Sequence, residues 1–311
     1  MARRRCSFVS KASLKPLPPD NVCAVVVTYH PQSLLRSNLE QLRLQVAEVV
    51  VVDNGSGTAT AELLRIIEAE FGIRVVRNGC NLGIAAALNI GIKHAIAGGY
   101  QWIATFDQDS EVTPGFIDGL LAAYQNCPDR EHVALIAPNL FYPESNESEL
   151  KQTGPLPEFT HIRSAITSGS LIRADVFAKA GYYDEPMFID YVDYDFNLRL
   201  QTKGFKLIRA NRVLLHHRLG TAEKHSLLGH DISIKSHSAW RRYYITRNRV
   251  IVYRRFGLRF PGWCLHDFGW FFLELGKVLV LESSKLAKVQ NILKGLWHGL
   301  IGKTGHMLPP P

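Results

Sequence analysis

Two groups of carboxylates in this sequence have the types and spacing that chemistry needs. The first is Asp107-Gln108-Asp109-Ser110, directly after the apolar run Trp102–Phe106. Carboxylates two apart at a strand end can share one cation where the chain turns, and oxygen ligation suits Mg²⁺ or Mn²⁺. A cation held there bridges phosphates and neutralises a leaving group. Solvated acids at a strand end are the competing reading. The second group is Asp190, Asp193 and Asp195, inside FIDYVDYDFNLR. On a helix Asp190 and Asp193 share a face and Asp195 points elsewhere. Like charges this close raise each other's pKa and cost stability, so the crowding suggests a task. One of these acids can take the proton from a hydroxyl. Acids favoured by the dipole at a helix start are the plain alternative.

Weaker signals lie around them. In VVDNGS, Asp53 can accept hydrogen bonds from a base or ribose, or close an Asx turn with Asn54, Gly55 and Ser56. In NLGIAAALNIG, Gly83 permits close approach and Asn81 can cap a helix whose N-terminus favours phosphate; an ordinary capped helix explains the segment equally well. The chain has neither GxGxxG nor GxxxxGK[ST] in this segment, which removes the usual dinucleotide and ATP sites. His216 and His217 follow an apolar strand, and one of them can complete a metal shell. RRYYITRNRVIVYRR interleaves Arg241, Arg242, Arg247, Arg249, Arg254 and Arg255 with Tyr243, Tyr244 and Tyr253. That pattern permits nucleic-acid binding. At helical spacing Arg241 and Tyr244 fall near Asn248, and the same face can grip a diphosphate.

The elements that must position these residues alternate. Cys23–His30, Glu48–Ser56, the run IRVVRNG, the run QWIATFDQDS and the run HVALIAPNL read as strands. The first two are continuous apolar runs, the mark of strands covered on both faces. Helices are predicted over Ser33–Leu44, Thr60–Phe71, the Ala-rich stretch that Gly98 and Gly99 stop, and from Pro114 to about Gln125. Strand–helix alternation predicts an α/β fold with a mostly parallel sheet and helices on both faces. Ligands of such sheets sit beyond the carboxyl ends of the strands, so Thr28, Asp53 and Asp107/Asp109 should meet in one crevice.

The chain has 311 residues and a net charge of +8. From Arg199 to the end, 20 Lys and Arg face 5 Asp and Glu, so the first 198 residues are net acidic. An acidic part suits a metal; a basic part suits phosphate, nucleic acid or an anionic membrane, or is a solvated face. Cys6, Cys23, Cys80, Cys127 and Cys264 are dispersed without CxxC, which indicates neither a disulfide framework nor zinc and fits a reducing cytosol. The basic start lacks the apolar core of a secretory signal. No uncharged apolar run reaches the ~18 residues of a membrane span. Residues 1–20 read as a flexible tail, 21–258 as the main domain (21–112 for nucleotide, 113–258 for acceptor and catalysis), and 259–311 as one or two amphipathic helices. Those helices either cover the main domain or lie on the inner membrane face; Trp263, Trp270, Phe271, Phe272 and Trp297 beside lysines motivate the second reading.

In order and spacing, VVVTYH, VVDNGS, NLGIAAALNIG, DQD, TSGSLIR, GYYDEPMFIDYVDYDFNLR, LLHHRLG and RRYYITRN resemble glycosyltransferase family 2, and more narrowly its bacterial rhamnosyltransferases. The resemblance spans about residues 23–250. It implies a GT-A fold and a single displacement that inverts the anomeric carbon. Thr28, Tyr29, Asp53, Asn81 and Gly83 match positions lining the nucleotide pocket. Asp107 and Asp109 match the DxD motif, Asp109 as the more direct metal ligand, and His217 matches the later metal-binding His. Asp193 matches the base of the family's ED motif, with Val192 in place of the Glu. Arg247 resembles a diphosphate-contacting Arg. The implied cofactor is Mg²⁺ or Mn²⁺, and the implied donor dTDP-L-rhamnose. The acceptor would be a glycan or lipid-linked glycan of cell-surface polysaccharide or lipopolysaccharide. Another hexosyl or galactofuranosyl transferase is the alternative within the family, and a basic nucleic-acid-binding protein the alternative outside it. The expected location is cytoplasmic, with peripheral membrane contact as an option and no nucleic-acid partner.

Overall fold

A computed structural model describes residues 21–32, 34–143, 146–150, 155–218, 222–227 and 230–306, without the side chains of 222–227 and 230–235. The expected tail, 1–20, lies outside the described residues, as does Ser33.

The first apolar run becomes β1 (Val22–Thr28), buried at all seven positions. Its side chains alternate between two cores. Cys23, Val25 and Val27 face one, Val22, Ala24 and Val26 the other. A strand covered on both faces has no place for alternating polarity, which is why the run is continuous. The next three strands, β2 (Glu48–Asp53), β3 (Arg74–Arg77) and β4 (Trp102–Asp107), lie parallel to it in the order β3-β2-β1-β4. The crossovers are α1 (Leu34–Arg43), α2 (Thr58–Phe71) and α3 (Ile84–Ala97). Register brings Thr28 opposite Asp53 and Val27 opposite Asp107, so the polar strand ends share one edge, as the sequence predicts.

Beyond β4 the order inverts. β9 (Ser170–Arg173) pairs antiparallel with both β4 and β6 (Val133–Tyr142). The long β10 (Lys206–His216) runs parallel to β6, and the short β5 (Glu111–Val112) pairs antiparallel with its far end. β7 (Glu147–Ser148) and β8 (Phe159–Ile162) extend this side. The sheet is thus mixed rather than mostly parallel: β1, β2, β3, β4, β6 and β10 run one way and β5, β7, β8 and β9 the other, and the mixed half carries α4 (Phe116–Gln125), α5 (Val176–Ala180) and α6 (Val192–Thr202). A separate antiparallel pair, β11 (Ala222–Leu227) and β12 (His230–Lys235), precedes α7 (Ala239–Phe256).

The last segment forms two helices, α8 (Pro261–Val280) and α9 (Lys285–Leu300). α9 packs on α7 at glycine contacts. A Cβ on Gly295 would stand 2.6 Å from the Tyr243 carbonyl oxygen, and one on Gly299 2.8 Å from that of Arg247. The two backbones touch only because these positions lack side chains. No helix among the described residues is long and apolar enough to cross a membrane.

Candidate active site

The parallel edge carries the residues matched to the nucleotide pocket. Thr28 is fully buried, and its hydroxyl reaches Asp53 at 3.5 Å. Asp53 also accepts from the Ser56 hydroxyl and, at 3.4 Å, from the Ser56 N–H. Asp53 therefore closes the turn at the end of β2 through Ser56, three residues on, and stays at the strand edge. The Tyr29 N–H donates to the Gln108 side chain at 2.8 Å, tying the end of β1 to the DQD turn. Asn81 does not cap α3, contrary to expectation. Gly83, at φ +87°, takes the N-cap position. Asn81 instead accepts from the Gly83 N–H and the Asn54 amide, both at 2.9 Å. The Ile84 N–H at the start of α3 donates to the Phe188 carbonyl at 2.8 Å.

The DQD turn and the end of β10 meet through β5, which pairs Glu111 with His216. Ligating atoms of Asp107, Asp109 and His217 all lie within 4.8 Å of one another. Ser110 and Ser168 brace the group: their hydroxyls share a bond of 2.6 Å, Asp107 N–H donates to Ser168 at 3.0 Å, and Ser110 lies 3.4 Å from His217 Nδ1. Burial, then the charge of Asp109, raises the Asp107 carboxyl above its ordinary value, while His217 and Arg241 oppose that shift. Two crowded carboxylates beside an imidazole form a donor set that a hard divalent cation fits and relieves. The two histidines separate cleanly: His216 packs its ring against Phe141, with centroids 5.1 Å apart. Cys127, Asp129 and His161 also cluster, at the opposite end of β10. There the Lys206 ammonium already sits on Asp129, which disfavours a cation.

The three acids of the second group take three different parts. Asp195 is buried between Arg199 at 2.8 Å and Arg255 at 2.7 Å, a structural ion pair. Asp190 receives the Arg241 guanidinium through two nitrogens, at 2.9 to 3.2 Å. Asp193 lines a cavity of about 560 Å³ together with Tyr194, Trp263, His266 and Trp270. Burial pushes its carboxyl up to about 7; Asp190 and Asp107 add to the rise, against the Tyr194 N–H that donates to it at 2.8 Å. Arg241 feels Asp190 first, then Asp107 and Asp193. The metal-type cluster and Asp193 therefore belong to one electrostatic neighbourhood.

Arg247 is a correction. The resemblance matches it to a diphosphate contact, yet it is fully buried, and its donors are taken by main-chain carbonyls. They go to Gly305 at 2.6 Å, Met187 at 2.8 Å and Pro186 at 3.2 Å, and Nε donates to Asn248 at 2.9 Å. Asn248 in turn donates to the carbonyls of Met187, Ile189 and Asp190 at 2.8 to 2.9 Å. The loop so held is strained: Phe188, Asp190 and Tyr191 have φ of +67°, +63° and +63°. Non-glycine residues adopt that region at a cost of roughly 1–3 kcal/mol each, and only where neighbours impose it. Arg247 and Asn248 impose it, two residues before Asp193.

Sequence reasoning missed Arg241 as the cation facing the acids, and Gln108 as the tie to β1. It also read Trp263 and Trp270 as tail aromatics, whereas both line the cavity. The i, i+3, i+4 spacing of Trp263, His266, Asp267 and Trp270 is the signal that puts them on one helix face.

The sequence model of "Glycosyl transferase family 2" matches residues 23–180. The dTDP-rhamnosyl transferase RfbF of Shigella flexneri is 33% identical over 252 residues, 76% of this chain and 80% of that protein. The galactofuranosyltransferase GlfT1 of Mycolicibacterium smegmatis is 25% identical, covering 81% of this chain and 89% of that one. Among solved structures, the mannosyltransferase PcManGT of Pyrobaculum calidifontis, in complex with GDP-Man and Mn²⁺, superposes with a TM-score of 0.57 at 14% identity, over 92% of this chain and 89% of that one. The α/β sheet with its DQD turn at the edge is thus a GT-A fold, and the chain belongs to glycosyl transferase family 2 and is a glycosyltransferase.

Proposed function

We propose that this enzyme moves L-rhamnose from dTDP-L-rhamnose to a hydroxyl of a glycan or lipid-linked glycan, with inversion, in the cytoplasm and for cell-surface polysaccharide or lipopolysaccharide. The observation that carries the reading is Asp193. It faces a cavity large enough for a sugar, and its carboxyl is raised toward neutrality by burial beside the Asp107–Asp109–His217 cluster. A base titrating near the working pH combines the ionised form with a useful driving force. The rhamnosyl donor rests on the likeness to RfbF.

In this reading Thr28, Tyr29, Asp53, Asn81 and Gly83 line the nucleotide, along the carboxyl edge of β1 and β2. Asp107, Asp109 and His217 would hold Mg²⁺ or Mn²⁺, which when bound supplies charge neutralisation for the departing diphosphate. Asp193 takes the acceptor proton as that oxygen forms its bond to the anomeric carbon and the bond to phosphate breaks. Arg241 holds Asp190 in an ion pair beside Asp193. Trp263 and Trp270 offer flat apolar faces to the acceptor sugar.

The galactofuranosyl alternative has the likeness to GlfT1 in its favour. The nucleic-acid reading has the buried state of α7 against it: Arg242, Arg247 and Arg249 are in the core. The test is transfer and hydrolysis across a panel of nucleotide sugars, with and without Mg²⁺ or Mn²⁺. Preferred, metal-dependent use of dTDP-L-rhamnose is expected; preference for a galactofuranosyl donor replaces the rhamnosyl reading, and no turnover with any donor rejects both.

A further inference from the structure

The C-terminal helices are amphipathic in the reverse sense. A surface helix ordinarily turns its apolar stripe inward and its charges outward. On α8 the inward side carries Asp267 and Glu274, while Leu265, Phe268, Phe272 and Leu279, at steps of three, four and seven, are exposed. Val278 is its one buried side chain. α9 continues the pattern outward with Leu286, Leu293, Trp297 and Leu300. Apart from Leu44, Ile66 and Leu82, every large apolar side chain that stands exposed among the described residues belongs to 258–301.

The charges are sorted as strictly. Between Ser236 and His306 the chain has three acids, Asp267, Glu274 and Glu282. Each turns toward α7. Asp267 meets Arg249 at 2.9 Å and Tyr253 at 2.6 Å, Glu274 meets Arg249 at 3.1 Å, and Glu282 is buried between Arg242 and Lys288. Lys277, Lys285, Lys294 and Lys303 remain on the outside. The outer surface thus offers apolar side chains and cations, with its carboxylates withdrawn.

We infer that the outer face of α8 and α9 rests on an anionic lipid bilayer. Large apolar residues flanked by lysines, on helices unable to span, are what an interfacial helix requires. The sorting of charge distinguishes this occupant from a second copy of the chain. Two such faces brought together set lysine against lysine with no acid to pair, whereas anionic headgroups supply the missing counter-charge.

The test is sedimentation of the full chain with phosphatidylcholine vesicles, with and without phosphatidylglycerol, at low and high salt. Binding is expected to the anionic vesicles and to weaken with salt. Neutralising Lys285, Lys294 and Lys303 to Gln should lower partitioning about a hundredfold, at roughly fivefold per lysine. Phe268→Ser with Phe272→Ser should abolish it. Both variants should keep wild-type unfolding temperature and donor hydrolysis, because none of these residues touches the cavity. Equal recovery with and without anionic lipid overturns the inference, as does a concentration-dependent dimer that the Phe variant dissociates and that ignores vesicles.

Discussion

Replacing Asp193 by Asn removes a charge at nearly constant shape, and two consequences can be worked from the structure. The first is catalytic: losing a general base lowers turnover roughly 10²–10⁴-fold, with donor affinity kept. The second is thermodynamic. The folded carboxyl titrates at about 7, raised chiefly by burial from its ordinary 3.8. Between those values the folded protein holds a proton that the unfolded chain has released, so this group's contribution to stability falls as pH rises. At about 1.4 kcal/mol per pH unit, the ionised carboxylate costs the fold on the order of 4 kcal/mol above pH 7. Asn carries no such cost. The variant should therefore be the more stable protein at pH 8, with the advantage shrinking steadily toward pH 4. Urea unfolding of both proteins under a chelator, at several pH values, reads the difference, because titrating groups that do not interact with Asp193 cancel. Wild-type turnover should rise with pH along a limb centred near 7. An Asn variant no more stable than wild type at pH 8 refutes the buried-charge account; one with wild-type turnover refutes the base.

Other outcomes follow from the same contacts. Arg247→Lys loses main-chain partners for a buried cation and should destabilise by about 3 kcal/mol or more, while donor affinity by calorimetry stays near wild type; the opposite pattern would restore a diphosphate role. Asp109→Asn and His217→Ala should each shift the metal concentration for half-maximal activity at least tenfold, and an unchanged metal titration would remove both from the ligand set. Gly83→Ala forces a Cβ to 2.6 Å from the Phe188 carbonyl oxygen at a φ of +87°. It should cost about 1–3 kcal/mol and lower turnover through Phe188; lost stability with unaltered turnover would separate the two.

The parallel half of the fold was readable because each element has one dominant cause. The apolar runs of β1 and β2 name buried strands, and the carboxyl-edge rule alone brought Thr28, Asp53 and Asp107 together. The mixed half was less legible. β9 enters between β4 and β6 although it follows them in the chain, and no local pattern encodes an insertion of that kind. Family likeness favours His217 over His216, and in the structure His217 stands with Asp107 and Asp109 while His216 packs on Phe141. Arg247 is misplaced because likeness to a motif cannot tell an arginine that meets ligand from one that meets carbonyls. The left-handed stretch at Phe188, Asp190 and Tyr191 was invisible because none is glycine; tertiary bonds impose the conformation against local preference.

The contact between Gly83 and Phe188 bears on how such enzymes can be recombined. The half that carries Thr28, Asp53 and Asn81 and the half that carries Asp193 are keyed by the Ile84–Phe188 hydrogen bond and by a clearance that admits no methyl group. A hybrid taking its first hundred or so residues from a different transferase must bring a glycine to that turn and meet an equally contorted loop. Swapping modules at the end of β4 therefore changes two mating surfaces at once, and donor preference is better re-engineered by substitutions inside the first half than by exchange of the whole.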